Sequence, residues 1–396
     1  MTNPRYRYAV LGAGRQGTAA AYDMARFGDA ASVVLADQDL AIAKAAAERV
    51  NALLNTQVAR AMQLDVCDRG ALVALLRSVD AFLSAVPYFF NLDITQAAVE
   101  AQASMCDLGG NTDIVRKQLE FDDVARSAGI SIIPDCGQVP GLGTTLCAYA
   151  MRLLDRPREV YMWDGGLPQN PEPPWNYQLT FNIEGLTNEY YGTTVFLRGG
   201  ELFEIGCFEE YELIDFPEPI GQLEAFTTAG GTSTAPWTYL GKLDVYQNKT
   251  IRYPGHYEQW KAFRDAGLFE LKPVQVGDIE VVPRQLFHKL IEPQITAPVI
   301  KDLAIIRVLA RGEKDGQPAE IQLDFVDYYD EVTGFTAMER STGWHAAIVA
   351  EMMARGQTPR GAVPVELGVD PVAFVRQMPR RGLKLSERIT VIRTVG

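Results

Sequence analysis

Near the N-terminus, Gly12-Ala13-Gly14-Arg15-Gln16-Gly17 stands between a β-rich run, Tyr6 to Leu11, and a segment of helical composition, Thr18 to Phe27. Glycines at this spacing constrain the chain more than any other feature. Gly12 permits a tight turn, Gly14 lets backbone approach a pyrophosphate, and Gly17 allows the helix to pack closely on the strand. The helix N–H groups, with Arg15 and Gln16 at its start, then face the phosphates. By itself the spacing is a weak signal, since a glycine turn can be kept for packing alone. Here it follows a strand, opens a helix and precedes an acid at the end of the next strand, Ser32 to Ala36, which together predict a dinucleotide-binding fold.

That acid is Asp37, 20 residues beyond Gly17. Its carboxylate can accept hydrogen bonds from both adenosine ribose hydroxyls and would repel a 2′-phosphate, so the expected coenzyme is NAD. Asp39 is the substitute if the strand ends later. By topology Asp65 and Val66, after the third strand, flank the adenine. Ser84, Ala85, Val86 and Pro87, after the fourth, run beside the nicotinamide ribose.

Strand-like and helix-like segments continue to alternate: Arg60–Leu64, Arg69–Ser78, Ala81–Ala85, Ile94–Ala103, Met105–Leu108, Val115–Ser127 and Ile130–Ile133. Such alternation predicts an α/β architecture with a doubly wound parallel sheet, the Rossmann arrangement. A loop, Asp135 to Gly143, leads into an expected helix over Thr144–Leu154. Beyond Glu159 the alanine-rich runs give way to β-branched and aromatic residues with glycine and proline turns, predicting a β-rich second domain. Expected boundaries are 1–140 for the dinucleotide domain, 141–345 for a substrate-binding and dimerisation domain, and 346–396 for a segment returning to the first domain. That segment contains a helix from Pro371 capped by Asp370, and a strand from Ile389 to Val395.

Composition narrows the function class. Fifty acidic against thirty-seven basic residues give a formal net charge of −13, which argues against broad contact with nucleic acid or anionic lipid. No apolar run approaches a membrane span, and no secretory leader is evident, so a cytoplasmic location is expected. Cys67, Cys106, Cys136, Cys147 and Cys207 lack zinc-ligand spacing and read as reduced core thiols; no metal is expected.

Several longer strings carry a more specific signal: AVLGAGRQG, ADQD, SAVPYFFN, DLGGNTD, IPDCGQVPGLG, GGLP, FNIEGLTNEY, AFTTAGGTST and KTIRYPGH. Together, from about residue 6 to residue 350, they resemble the saccharopine dehydrogenase family, most of all its lysine 6-dehydrogenase branch. The resemblance implies a nicotinamide domain followed by an α/β substrate domain, a homodimer, a small amino-acid substrate, and chemistry at the carbon–nitrogen bond of a lysine-derived ω-amine. It also implies that Tyr88, Thr250 and Arg252 line the substrate site. Arg252 suits an α-carboxylate, because its planar fork can hold two oxygens; an ion pair is the alternative. Where saccharopine-forming relatives carry an arginine, the stretch Gly230 to Ser233 offers Gly231 and Thr232, which favours a smaller substrate held by Thr232 and Ser233. The absence of arginine at position 37 points the same way.

Hydride transfer from an amine-bearing carbon requires a neutral nitrogen, so a proton acceptor is expected. His256 lies four residues beyond Arg252, whereas His288 and His345 fall on expected helices where packing explains them. Asp107 and Tyr88 are the alternatives, and Glu184 is the expected partner for a terminal ammonium. Two rival readings stay open: an NADP-dependent saccharopine or carboxynorspermidine-type reductase, and a non-catalytic nucleotide sensor.

Overall fold

The computed structural model describes residues 6–391 and divides into two compact units. Among the described residues, one comprises the chain up to Tyr149 with Ser233–Ala235 and Glu339–Gly382; the other comprises Ala150–Thr232, Pro236–Met338 and the stretch from Leu383 to Val391.

The first unit is built on a seven-stranded, wholly parallel sheet. Its order is Gly361–Ala362, Ser131–Ile133, Ser104–Asp107, Ala81–Ser84, Tyr6–Leu11, Ala30–Asp37 and Ala59–Gln63. Tyr8 to Leu11 are all fully buried, as expected of a central strand covered by helices on both faces. Strand order reverses beside this strand, where Leu11 is in register with Ala36 on one side and Ser84 on the other. Gly12, Asp37 and Ala85 therefore emerge together at the carboxyl edge, where open α/β sheets bind ligands. Leu72, Leu76, Ile94, Ala97, Met105 and Ile132 form the core beneath the crossover helices.

Several boundaries shift from expectation. The second strand runs to Asp37 itself. The expected helix 115–127 is two helices, Thr112–Leu119 and Asp122–Ser127. The two-residue strand Gly361–Ala362, too short to show periodicity, extends the parallel sheet by pairing with Ser131–Ile132. The long helix Ala337–Ala354 crosses the helix Arg15–Phe27 so closely that a Cβ at Gly343 would lie 2.8 Å from the Gln16 carbonyl oxygen. Arg381, Asp23 and Glu351 form a buried triad tying the later segment to the first helix, with Arg381 donating to both carboxylates at 2.6–3.0 Å. Four cysteines are buried thiols, but Cys67 is exposed, because it follows the third strand in an open turn rather than lying in the core.

The second unit carries a nine-stranded mixed sheet. Its main path is Glu212–Asp215, Gln222–Phe226, Val245–Arg252, Arg156–Pro168, Asp302–Lys314, Gln317–Tyr328 and Leu385–Val391. Only Val245–Arg252 and Arg156–Pro168 run parallel along this path. Tyr177, Tyr190, Phe208, Phe226, Trp260 and Phe287 pack an aromatic core against one part of it. The expected return of 346–396 to the first unit needs correction at its end: Glu339–Gly382 does so, but Leu385–Val391 adds antiparallel to Gln317–Tyr328 in the second unit. An otherwise open strand edge supplies the unpaired N–H and C=O groups that capture it. The remainder of the expected strand, 392–395, lies outside the described residues.

Candidate active site

In the first unit the glycine turn has the geometry its spacing implies. Gly12 has φ +90°, and a Cβ there would sit 2.7 Å from the Ala85 carbonyl oxygen. A Cβ at Gly17 would sit 1.9 Å from the Gly12 oxygen, so any side chain there would force helix and turn apart. Gly14, by contrast, is exposed and faces open space. It caps the helix Arg15–Phe27 without any side-chain hydrogen bond, leaving the first N–H groups for an anion. The buried Gln16 Oε1 also lacks a partner.

Asp37 is partly buried at the strand end. One carboxylate oxygen accepts from Ala13 N at 2.9 Å and the other from Asp39 N at 3.0 Å. Each oxygen keeps further acceptor capacity, so the acid can brace the turn and still take ribose hydroxyls. Asp39 caps the next helix by accepting from Ala41 N, which removes it as the substitute. Asp65 is exposed and accepts from Cys67 N, while Val66 packs against the core. Ser84 donates to Asn91 at 2.8 Å, Ala85 N bonds to Leu11 O, and Ala85, Val86 and Pro87 lead into the short turn Tyr88–Phe90. Backbone donors with a free helix terminus and an acid at the strand end fit a nicotinamide dinucleotide.

Two buried acids stand at the neighbouring strand ends. Asp107 accepts from Gly109 N at 2.8 Å, Asp135 N at 3.2 Å and Gln118 Nε2 at 2.8 Å. Burial raises its pKa, and those donors oppose the rise. This carboxylate organises the loop, so its expected role as a proton acceptor competes with three bonds already made. Asp135 has φ +64° and accepts from the Ser233 hydroxyl; burial pushes it well up. Gly109 is required here, since a Cβ would lie 2.3 Å from Asp135 Oδ1. Tyr88 is partly buried, its ring against Gly110.

In the second unit, strand alternation places Asn248, Thr250 and Arg252 on one face, while Lys249 turns the other way to Glu212 at 3.0 Å. Arg252 is 3% exposed and donates through Nε to the Tyr190 hydroxyl and through Nη1 to Ile251 O, both at 2.9 Å. Tyr190 also bonds His256 Nε2 at 2.9 Å. The other ring nitrogen of His256, Nδ1, is buried without a hydrogen-bond partner. Burial and the adjacent guanidinium hold His256 well below its usual pKa, so it is neutral. With Nε2 occupied it is poorly placed as the expected base and instead orients Tyr190.

The acid beside this arginine is Glu189, with Oε2 4.0 Å from Arg252 Nη2. Asp164 lies on the adjoining strand in register with Thr250 and accepts from Asn248 Nδ2 at 2.8 Å. Burial raises Glu189 to about 8 and Asp164 to about 6, with Arg252 pulling each back down. Glu184 needs correction. It is exposed and pairs with Arg284 at 3.2 Å and His288 at 3.5 Å, not with the Arg252 cluster. Five residues along a helix is a turn of roughly 140° past a full rotation, which sends Glu184 and Glu189 of the helix Ile183–Glu189 to different sides. Thr250 bonds Thr228, and Thr232 donates to Val195 O, so both hydroxyls serve the scaffold. Glu189, Asp164, Tyr177 and Tyr190 escape sequence reasoning. The one local hint is Asp164-Gly165-Gly166 inside a strand: a Cβ at Gly165 would meet the Ile251 oxygen at 2.4 Å, a sign of close backbone approach.

Comparisons with known proteins agree with both units. The family described as "Saccharopine dehydrogenase NADP binding domain" matches residues 8–133, and "Saccharopine dehydrogenase C-terminal domain" matches 137–383. Carboxynorspermidine synthase of Vibrio cholerae is 24% identical over 94% of each chain. Carboxyaminopropylagmatine dehydrogenase of Synechocystis is 22% identical over 96% of each. The solved apo saccharopine dehydrogenase (L-Glu forming) of Saccharomyces cerevisiae shares the fold, with TM-score 0.77 and 16% identity over 98% of this chain and 100% of that one.

Proposed function

Since this chain belongs to the saccharopine dehydrogenase family, we propose that it is an NAD-linked dehydrogenase that oxidises the ε-amine carbon of L-lysine or a close ω-amino acid, leaving a semialdehyde and ammonia. The family makes it an oxidoreductase with a nicotinamide nucleotide-binding domain; the coenzyme form and the amine are our inference. The observation that carries it is the Arg252, Glu189 and Asp164 cluster, a cation flanked by two acids, which suits a substrate bearing both charges rather than one bearing extra carboxylates. The Asp37 carboxylate supports NAD, because a 2′-phosphate beside it would meet like charge.

When bound, the oxidised nicotinamide accepts the hydride. In this reading the Gly12–Gly17 turn and Asp37 hold the coenzyme in the first unit, and Arg252 holds the substrate carboxylate in the second. His256 and Tyr190 keep the guanidinium aimed. Of the three groups expected to accept the amine proton, Tyr88 is the one whose polar atom makes no hydrogen bond among the described residues, and we assign it the transfer of that proton to solvent. Water then adds to the iminium carbon and ammonia leaves.

A second reading, a reductase forming a carboxyalkylated polyamine with NADPH, is favoured by the end-to-end match to the Vibrio and Synechocystis proteins. Reduced nicotinamide formation with NAD or NADP plus L-lysine, with the aldehyde trapped by an amine reagent, tests the proposal. Activity only with NADPH and a carboxyalkylated polyamine imine would replace the first reading by the second, and silence with every pair would leave the nucleotide sensor.

A further inference from the structure

Around Arg252, four polar ends from separate segments of the second unit lack partners. Arg252 Nη2 makes no hydrogen bond and lies 4.0 Å from Glu189 Oε2, too far for one. The Tyr177 hydroxyl is buried without a partner, and the guanidinium lies 5.4 Å from the centre of its ring. Asp164 has only Oδ1 engaged, by Asn248, and Glu189 has neither oxygen hydrogen-bonded. Arg252 acts electrostatically on both acids, and they act on each other, so the three form one field. The buried Tyr177 hydroxyl, left unpaired, is costly unless something takes it up.

The chemistry of the gap is that of a zwitterion. Arg252 Nη2 and Tyr177 offer donors for a carboxylate, while Glu189 and Asp164 offer acceptors for an ammonium. The nitrogen that undergoes oxidation has to be neutral at hydride transfer, and two acids beside it would hold it protonated. They therefore belong at the end of the substrate that does not react. We infer that Arg252, Glu189 and Asp164, with Tyr177, form a reader of the α-amino-acid head, in which Glu189 receives the α-ammonium and so sets specificity. This rests on the reading that the substrate is an amino acid, but not on which distal amine reacts. The upward displacement of Glu189 to about 8 adds a signature: an ammonium arriving beside a protonated carboxyl at neutral pH expels a proton.

L-norleucine, which has the head without the ε-amine, and 6-aminohexanoate, which lacks the α-amine, separate the two questions. Calorimetry on the NAD-loaded wild-type protein and on Glu189→Gln, in two buffers of different ionisation heat, is the measurement. The wild type should bind L-norleucine more tightly than 6-aminohexanoate and release protons. Glu189→Gln should weaken L-norleucine by roughly ten- to hundredfold, abolish the proton release and leave 6-aminohexanoate within about twofold. Asp164→Asn, a second isosteric change, should shift L-norleucine in the same direction. Equal weakening of both ligands, no weakening of either, or no L-norleucine binding to a folded wild type overturns the inference. L-lysine oxidation is scored separately: if it is absent while the L-norleucine pattern holds, the head reader stands and the lysine reading falls.

Discussion

The coenzyme end of the first unit and the Arg252 cluster of the second solve opposite problems. The first presents mostly backbone: a turn at Gly12, free N–H groups beyond Gly14, and one acid, Asp37, all within the first two strands and their intervening helix. The second presents side chains, a buried Arg252 with the partly exposed Asp164 and Glu189, drawn from the strands Arg156–Pro168 and Val245–Arg252 and the helix Ile183–Glu189. A backbone site tolerates a missing ligand because water satisfies its donors. Carboxylates drawn beside a buried guanidinium lose part of their hydration, which pushes them upward while Arg252 pulls them back.

The sharpest way to break this contrast is to remove the balancing cation. Arg252→Met should destabilise the protein by about 3 kcal/mol in denaturant unfolding and abolish detectable turnover, with NAD affinity unchanged in calorimetry. A loss of NAD binding would mean the two regions are not separable. Asp37→Ser comes next: stability should change little, while NAD affinity should fall by about 1.5–3 kcal/mol and preference should move toward NADP. Unchanged NAD affinity would remove the carboxylate from the coenzyme site.

A third test concerns the buried triad of Asp23, Glu351 and Arg381 in the first unit. Burial and the adjacent Asp23 raise the folded pKa of Glu351, with Arg381 and Arg355 opposing. A raised folded pKa means the stabilising proton is fully held below the unfolded value near 4.5 and lost as pH rises through the folded one. Unfolding free energy should thus decline as pH rises above about 5 toward alkaline values, and Glu351→Gln should flatten that slope. An unchanged slope in the variant would exclude Glu351 as its source. The smallest effect belongs to Glu184→Gln, expected to alter stability by less than about 0.5 kcal/mol and to leave KM unchanged. A large rise in KM would return Glu184 to the substrate site and unseat Glu189.

Legibility differed between the regions for a physical reason. The glycine turn, Asp37 and the alternating parallel sheet were readable because their signals lie within tens of residues and depend on backbone geometry. Arg252 was readable as a substrate-lining residue only by resemblance, and its choice of acid was not: Glu184 and Glu189 share one short helix, and which one faces the cluster is set by how that helix packs. His256 illustrates the same limit, since its neutrality follows from burial beside Arg252 and its occupied Nε2 from Tyr190, 66 residues upstream.

What the linear chain determined by itself was the Rossmann half and its coenzyme edge, because strand, turn and helix propensities act locally. Tertiary structure alone decided which carboxylates meet Arg252, that Asp107 braces a loop, and that the final strand leaves the first unit for an open edge of the second. Those outcomes depend on burial and on hydrogen-bond partners far apart in sequence, and no local pattern encodes them.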